Sequence, residues 1–278
     1  MAYDSPGRHD PIGTGHAPVD PVRPVAPYIG GKRNLARRLT ALIEATPHDT
    51  YAEAFVGMGG IFFRRRRRPR CEIINDLSGD VANLFRCMRA HPEALIGAAA
   101  LQLQTRADFD RHMREDPALL TDLQRAARFL YLQKTAFGGK VRGRNFGVRT
   151  DGPSRFRAGQ VAADLAAAGR RLEAVTIEQL PWADFMARYD RPGVLFYLDP
   201  PYFGSEDDYG AELFGRGQFV AMAEQLGRLK GRFILSLNDR PEVREIFAAF
   251  DQEAVGTHYG LAGRGAQPAG ELIITGGG

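Results

Sequence analysis

Apolar residues recur along the chain with two spacings, and each spacing predicts one kind of secondary structure. Helical spacing, with apolar residues three or four positions apart, occurs at 35–43 and again at 81–88. Short apolar runs bounded by turn residues predict buried strands at 51–56, 71–75, 175–177, 194–198, 233–237 and 272–275. The alternation of strands with helices predicts an α/β fold class with a doubly wound sheet.

Two stretches interrupt this alternation. Residues 1–26 carry five prolines and scattered glycines without periodicity, so we predict a disordered tail. From 91 to 171 the sequence predicts helices and then a basic, glycine-rich loop, with no strand candidates. We therefore predict that 91–171 is a mainly helical insert in one α/β domain, which is formed by residues 27–90 and 172–278.

The composition is that of an ordinary globular protein. Of 278 residues, 44% are hydrophobic and 25% are charged, and no apolar run approaches the roughly 20 residues of a membrane span. No signal-peptide pattern opens the sequence, and the two cysteines and six histidines lack metal-ligand spacing. We expect a cytoplasmic protein with no metal site and no membrane partner, and nothing in the sequence requires more than a monomer.

The distribution of charge is more informative than the net charge of +4. Between Arg125 and Arg157 there are nine basic residues and one acid, Asp151, in a segment rich in glycine. Such clustering is the electrostatic footprint of a nucleic-acid-binding surface. A basic face that only contacts solvent is the alternative interpretation.

The stretch Leu198–Gly204, L-D-P-P-Y-F-G, follows the predicted strand at 194–198. Two consecutive prolines cannot donate hydrogen bonds to a sheet, so the chain must leave the sheet there with a stiff backbone. This places Asp199 and Tyr202 at the carboxyl edge of the sheet, where open α/β sheets bind ligands. A proline-stiffened turn with a solvated acid is the alternative.

A second candidate site lies between the first predicted strand and the segment after it. Glycines in E-A-F-V-G-M-G-G, residues 53–60, allow close approach of a ligand to the backbone. Asp76 ends the next strand and is placed to accept hydrogen bonds from ribose hydroxyls, although a helix N-cap is the alternative. The loop lacks G-x-G-x-x-G, and Gly30-Gly31-Lys32 lacks the Ser or Thr of a P-loop. S-adenosylmethionine therefore suits the loop better than a dinucleotide or a nucleoside triphosphate.

Four motifs in this order resemble those of the Dam-type (D12 class, α-group) N6-adenine DNA methyltransferases. Y-I-G-G-K at 28–32 is similar to the family's W-A-G-G-K, and E-A-F-V-G-M-G at 53–59 to its E-P-F-x-G-x-G. N-D-L at 75–77 is similar to D-I-N, and D-P-P-Y at 199–202 matches outright. The stretch 270–274 also resembles the family's last strand, so that the resemblance extends over roughly residues 27–276.

The resemblance implies a Rossmann-like, S-adenosylmethionine-dependent methyltransferase that uses no metal. The implied catalytic residues are Asp199, Pro200 and Tyr202. The Asp199 carboxylate and the Pro200 carbonyl would accept hydrogen bonds from the exocyclic amine of a flipped-out adenine, and Tyr202 would stack on the base. The methyl group would then move by direct in-line displacement. The implied cofactor-binding residues are Tyr28, Lys32, Glu53, Phe55, Gly57, Gly59, Asp76 and Asp199.

The family places its target-recognition region where the helical insert lies in this chain, which implies double-stranded DNA as the partner. Residues 130–139 resemble a DNA-contacting stretch of the family, with Gln133 and Gly138 in place of two asparagines. Phe137 either enters the base stack or closes the preceding helix as a core aromatic. The predicted DNA-binding residues are Lys134, Phe137, Lys140, Arg142, Arg144 and Arg149. The basic run 64–68, with Arg70, either binds phosphates or forms a solvated helix face after the glycine-rich loop 53–60, which we call the cofactor loop, and we expect the solvated face.

Two other functions use the same motifs. An RNA or protein amide methyltransferase can share the [D/N]-P-P-Y device, but the motif order and the long insert favour DNA. A catalytically silent DNA-binding relative would explain the Tyr28, Gln133 and Gly138 departures, but the intact D-P-P-Y motif argues against it.

Overall fold

The computed structural model describes residues 15–28, 32, 34–148, 152–204, 214–259 and 267–278. Its strands are β1 Ala17–Pro18, β2 Thr50–Glu53, β3 Arg67–Arg68, β4 Cys71–Asn75, β5 Val175–Glu178, β6 Val194–Leu198, β7 Arg232–Asn238, β8 Asp251–Tyr259 and β9 Gln267–Gly277. Its α-helices are α1 Ala36–Ala45, α2 Gly79–Ala90, α3 Pro92–Ala100, α4 Arg106–Arg114, α5 Asp122–Thr135, α6 Ala158–Arg171, α7 Trp182–Tyr189, α8 Arg216–Leu226 and α9 Pro241–Ile246. Among the described residues, no helix is long and apolar enough to cross a membrane.

The main sheet has seven strands in the order β5-β4-β2-β6-β7-β9-β8. The first five are parallel to one another, and β9 runs antiparallel to both β7 and β8. The predicted α/β class is therefore confirmed. Strand β8 was not predicted, because its sequence D-Q-E-A-V-G has few apolar residues, as expected for a strand at the edge of a sheet.

Alternate residues of each central strand pack on opposite faces of the sheet, as the two-residue period of a strand requires. Tyr51, Tyr197 and Ile234 belong to a core shared with α1, α2, α5 and α6. Their neighbours Ala52 and Phe196 belong to a second core shared with α7, α8 and α9. Helices thus cover both faces of the sheet. The loops that connect strands and helices emerge where the parallel strands begin and where they end.

The predicted insert contains helices α3 to α6, which pack on one another and on α2. Two of these helices, α4 and α5, start with capping residues: the side chain of Thr105 accepts a hydrogen bond from the amide of Asp108, and Thr121 forms a capping box with Gln124. The described part of the insert contains no strand of the main sheet. Its domain boundaries stay a prediction.

The prediction of a disordered N-terminal tail is wrong for residues 15–26. Strand β1 pairs antiparallel with β3, and Val25 and Ala26 are buried in the first core. Apolar side chains between the prolines were enough to anchor a segment that has no periodicity of its own. Residues 1–14 lie outside the described residues.

The predicted helix after the cofactor loop is also wrong. A single 3-10 turn, Phe62–Arg64, is followed by an extended stretch that includes β3 and Pro69. Repulsion among consecutive arginines and the proline both oppose a helix there. Arg66 is exposed and lies just before the amino end of β4, so it is at the sheet edge opposite to the ends of β2 and β6.

Arg65, in contrast to its neighbours, is fully buried and belongs to an ion-pair triad. Glu72 of β4 pairs with Arg65 on one side and with Arg171 on the other, where the two N–O distances are 2.6 and 2.7 Å. The Arg65 guanidinium also lies 3.7 Å from the centre of the Tyr51 ring. The triad joins the segment after the cofactor loop, the sheet and the last helix of the predicted insert.

Candidate active site

Polar side chains collect where the parallel strands end. Glu53 ends β2, Asn75 ends β4, and Asp199 follows the last residue of β6. The carboxyl ends of parallel strands meet at one edge of a sheet, and β4, β2 and β6 are direct neighbours. This edge therefore holds the cofactor loop, Asp76 and the D-P-P-Y motif, which the sequence predicted separately.

Asp199 is held by its Oδ1 atom. Ser236 of β7 donates a hydrogen bond to that oxygen at 3.3 Å, and the hydroxyls of Ser236 and Tyr197 are 2.9 Å apart. Burial raises the pKa of Asp199 to about 6, against the opposing effect of the Lys32 ammonium. The side chain is 19% exposed, and among the described residues Oδ2 has no hydrogen-bond partner, so that this oxygen is available to a ligand.

Lys32 is completely buried between two carboxylates. Its ammonium lies 3.1 Å from Asp199 Oδ1 and 3.2 Å from Glu271 Oε2. It also donates a hydrogen bond to the Tyr202 hydroxyl at 2.7 Å, and that hydroxyl donates in turn to Glu271 Oε1. The structure thus brings Lys32, Asp199 and Tyr202 together, as the motifs predicted, and adds Glu271 to them.

The path of the chain beyond the D-P-P-Y motif is fixed by Asn238 at the end of β7. Asn238 Oδ1 accepts a hydrogen bond from the Phe203 amide at 3.0 Å, and its Nδ2 donates to the Phe203 carbonyl at 2.9 Å. Phe203 itself packs on Phe219 of α8. Pro200 is buried, and the prolines and this amide clamp together keep the loop in one conformation.

The cofactor loop is tied to Asp76. The amide of Gly57 donates to Asp76 Oδ2 at 2.9 Å, and the amide of Ser78 donates to Oδ1 at 2.9 Å. Burial raises the pKa of Asp76 to about 6. Ser78, and not Asp76, is the N-cap of α2, because the Ser78 hydroxyl accepts from the Val81 amide. The N-cap interpretation of Asp76 is therefore wrong.

Two glycines of the loop have positive φ angles, which L side chains rarely adopt. Gly57 has a φ of 50°, and a Cβ atom there would lie 3.1 Å from the Tyr28 ring. Gly59 has a φ of 71°, and a Cβ atom there would lie 2.4 Å from the ring of Phe63. The loop therefore requires glycine at both positions, and Tyr28 packs directly against it.

Glu53 and Phe55 flank the start of this loop. Glu53 is buried and accepts a hydrogen bond from the Tyr51 hydroxyl at 2.6 Å, and burial raises its pKa to about 8. Phe55 is half-buried, with its ring 5.8 Å from that of Phe214. Both residues thus lie at the predicted cofactor edge, although Phe55 packs partly towards the second core.

The predicted DNA-binding residues occupy three different environments. Phe137 is 59% exposed, which excludes the alternative that it is a core aromatic, and Lys140 and Arg142 are exposed as well. Arg144 is half-buried and donates to the Lys140 carbonyl and to Gln133 Oε1. Arg149 lies outside the described residues.

The prediction that Lys134 binds DNA is wrong. It is buried on α5, its ammonium donates to the Val25 carbonyl at 2.9 Å, and Asp164 Oδ2 is 3.9 Å away. The next residue back, Gln133, is also buried and donates to the Pro27 carbonyl at 3.0 Å. Because both side chains hold the segment 25–28, Lys134 does not reach the surface where DNA would lie.

Three residues of the site were not predicted: Ser236, Asn238 and Glu271. Each is a polar residue in or next to an apolar strand, and such a residue at the carboxyl edge is a signal that sequence reasoning can use. Glu271 shows it most clearly, because a fully buried acid directly precedes the apolar run 272–274.

Comparison with known proteins agrees with this geometry. Residues 28–259 match the D12 class N6 adenine-specific DNA methyltransferase family. The type II methyltransferase M1.LlaDCHI of Lactococcus lactis subsp. cremoris is 30% identical over 130 residues, which cover 44% of each chain. The type II methyltransferase M.CviBI of Paramecium bursaria Chlorella virus NC1A is 22% identical over 82% of this chain and 88% of its own.

Among solved structures, precorrin 8W decarboxylase of Methanobacterium thermoautotrophicum covers 93% of this chain and 100% of its own, at 13% identity and a TM-score of 0.39. Because this TM-score is low, we assign the fold from the strand order described above. The family match extends over most of the chain and includes all four motifs of the site. The chain therefore belongs to the D12 class of N6 adenine-specific DNA methyltransferases.

Proposed function

We propose that this chain transfers the methyl group of S-adenosylmethionine to the exocyclic N6 amine of adenine in double-stranded DNA. The observation that carries the proposal is the placement of Asp199. Its Oδ1 is anchored by Lys32 and Ser236, its Oδ2 has no partner among the described residues, and a glycine-rich loop ends the neighbouring strand. We further propose that the chain acts in the cytoplasm as a monomer.

The residues present suit S-adenosylmethionine. Gly57 and Gly59, at positive φ, give the loop its tight turn, and the Gly57 amide donates a hydrogen bond to Asp76 beside it. Glu53, Asp76 and Asp199 bring three carboxyl groups to the same edge, which suits a ligand with ribose hydroxyls and positive charges. When bound, the cofactor supplies an electrophilic methyl group on its sulfonium. Tyr28, whose ring covers Gly57, would form one wall of that site.

Asp199 and Pro200 are proposed to act on the amine. A carboxylate and a carbonyl that accept its two N–H groups draw electron density onto the nitrogen, which is otherwise delocalised into the ring. The two prolines and the Asn238 clamp hold both acceptors in place before the base arrives. The ionised carboxylate is a much stronger acceptor than the protonated acid, so the pKa of about 6 for Asp199 predicts that activity falls as the pH decreases through 6.

The duplex is proposed to meet the loop 137–144. Phe137 is an exposed aromatic at the tip of α5 and can fill the stack that a flipped adenine leaves, and Lys140 and Arg142 can contact phosphates. The loop packs on the segment 27–28, because a Cβ atom at Gly139 would lie 3.1 Å from the backbone of Pro27 and Tyr28, and the ring of Tyr28 in turn lies against Gly57 of the cofactor loop. Base flipping costs a few kcal/mol, which these contacts must offset.

The test is to incubate mixed-sequence duplex DNA with the protein and labelled S-adenosylmethionine and to read the digested nucleosides by mass spectrometry. We expect N6-methyladenine from the wild type and a loss of at least about 100-fold in Asp199→Asn, with DNA affinity within about tenfold. Asp239→Asn is the matched control, because Asp239 pairs with Arg244 on the surface. Detection of N4-methylcytosine would mean that the methylated base is cytosine and not adenine. Label in RNA but not in DNA would refute the proposal.

A further inference from the structure

Glu271 is the most deeply buried carboxylate of the site, and none of the four motifs contains it. It lies at the start of the apolar part of β9, opposite Asn238 of β7, and its side chain is 1% exposed. The side chain of Asp199, at the front of the same cluster, is 19% exposed. A ligand would therefore meet Asp199, while Glu271 lies behind it.

Both oxygens of Glu271 are used. Oε2 lies 3.2 Å from the Lys32 ammonium, and Oε1 accepts from the Tyr202 hydroxyl. Lys32 also donates to the Tyr202 hydroxyl, so these three side chains form a closed ring of contacts. The Lys32 ammonium then reaches Asp199 Oδ1 at 3.1 Å. Glu271 thus contacts the two residues that border Asp199 without contacting Asp199 itself.

The charges in this cluster depend on one another. One buried ammonium lies between two carboxylates, and a buried charge without a partner is costly. With Glu271 present, Lys32 is held at the midpoint of the two acids and its attraction is shared. Without Glu271, Lys32 is expected to move towards Asp199, and the Tyr202 hydroxyl loses its hydrogen bond to Glu271.

We infer that Glu271 is a positioning residue for methyl transfer: by holding Lys32 and Tyr202 it fixes where the Asp199 carboxylate lies and which of its oxygens faces the base. The inference rests on the proposed role of Asp199. It extends the functional residues to β9, a strand that contains none of the four motifs. It also assigns Lys32 a second role besides the predicted cofactor contact.

The inference is tested with Glu271→Gln, which keeps the size and the acceptor oxygen but removes the charge. The matched control is Glu253→Gln on the neighbouring strand β8, where the glutamate is half-exposed and pairs with Arg38. We expect the single-turnover methyl-transfer rate of Glu271→Gln to fall at least about tenfold at saturating cofactor and DNA, with both dissociation constants within about threefold of the wild type. The control is expected to keep the wild-type rate.

A second readout needs neither DNA nor cofactor. In protein with carbon-13-labelled aspartate carboxyls, the Asp199 signal, assigned by its loss in Asp199→Asn, is followed through a pH titration. Glu271→Gln is expected to make Asp199 titrate at lower pH, because a nearby negative charge that raises its pKa is removed and Lys32 then acts on Asp199 alone. The acidic limb of the rate profile is expected to move in the same direction. If Glu271 had no influence on Asp199, both pH dependences would be unchanged.

An unchanged rate together with an unchanged Asp199 titration would overturn the inference. If Glu271→Gln fails to fold, the double variant Lys32→Met/Glu271→Gln replaces both members of the buried ion pair instead of one, and a rate within about threefold of the wild type would overturn it equally. A wild-type protein that methylates no DNA would instead refute the proposed function. The Asp199 titration would still decide whether Glu271 controls that carboxyl.

Discussion

Glu53 provides a quantitative test of the predicted cofactor edge. Its carboxyl is buried, accepts a hydrogen bond from Tyr51, and has its pKa raised to about 8 by burial. That pKa already includes the lowering effects of the Tyr51 hydrogen bond and of Arg65 and the raising effects of the nearby Asp199 and Asp76 carboxylates. A cationic ligand favours the ionised carboxylate, so binding of S-adenosylmethionine at neutral pH is expected to release a proton from Glu53.

The amount follows from the pKa. With a pKa of about 8, roughly nine-tenths of Glu53 is protonated at pH 7 and about one-tenth at pH 9. Asp76 and Asp199, with pKa values of about 6, are each protonated to only about one-tenth at pH 7. Cofactor binding is therefore expected to release close to one proton at pH 7 and almost none at pH 9. Glu53→Gln should reduce the release at pH 7 to that of the two aspartates.

The assay is calorimetric titration with S-adenosylmethionine in buffers of different ionisation enthalpy, since the slope of the observed enthalpy gives the number of protons released. S-adenosylhomocysteine, which lacks the sulfonium charge, is the ligand control and should release fewer protons. Equal release by the wild type and Glu53→Gln would refute the reasoning, because the proton would then come from another group.

A stability measurement checks the same pKa without a ligand. The native pKa of Glu53 lies above its unfolded value of 4.5, so its contribution to stability is complete below that pH and is lost as the pH rises through about 8. Glu53→Gln has no such group to ionise. In urea titrations the free energy of unfolding of Glu53→Gln, relative to the wild type, should therefore increase between pH 5 and pH 9.

Three further predictions concern the loop, the triad and the DNA surface. Gly59→Ala places a methyl group against a ring at positive φ and should weaken cofactor binding at least about tenfold in calorimetry, whereas Gly60→Ala, which has room for a Cβ atom, should bind as the wild type does. Glu72→Ala leaves two buried arginines unpaired and should lower the free energy of unfolding by about 3–5 kcal/mol, and a loss below about 1 kcal/mol in urea titrations would contradict it. Arg142→Ala should reduce the slope of log DNA affinity against log salt by about 0.9, while Arg66→Ala, at the opposite edge of the sheet, should leave the slope unchanged.

Much of the site could be predicted because local chemistry determines it. Two consecutive prolines end a strand wherever they occur, and here they end β6. Glycines that need positive φ mark the cofactor loop. The parallel order of β4, β2 and β6 then brings Asp76, Gly57 and Asp199 to one edge, as the motif order implied. The turn after β6 and the conformation of the cofactor loop depend on residues close together in the sequence.

The features that were missed depend on residues far apart in the sequence. From the sequence, Lys134 would be a surface lysine. In the structure it donates a hydrogen bond to the Val25 carbonyl, and the periodicity of the sequence does not predict this contact. Arg65 stands in a run of arginines, and only Glu72 and Arg171 distinguish it from its exposed neighbours. Glu271 belongs to the site through its contacts with Lys32 and Tyr202, both of which are distant in the chain. Pairing of this kind is decided by tertiary packing and not by local pattern.

The segment from Val25 to Tyr28 has a consequence for how the protein handles two ligands. Gln133 and Gly139 contact its backbone from one side, and on the other side the Tyr28 ring rests on Gly57. A ligand at either side that orders this short piece of chain reduces the conformational entropy that the other ligand must still remove. Linkage makes such an effect reciprocal. The factor by which S-adenosylhomocysteine changes DNA affinity should thus equal the factor by which DNA changes affinity for S-adenosylhomocysteine.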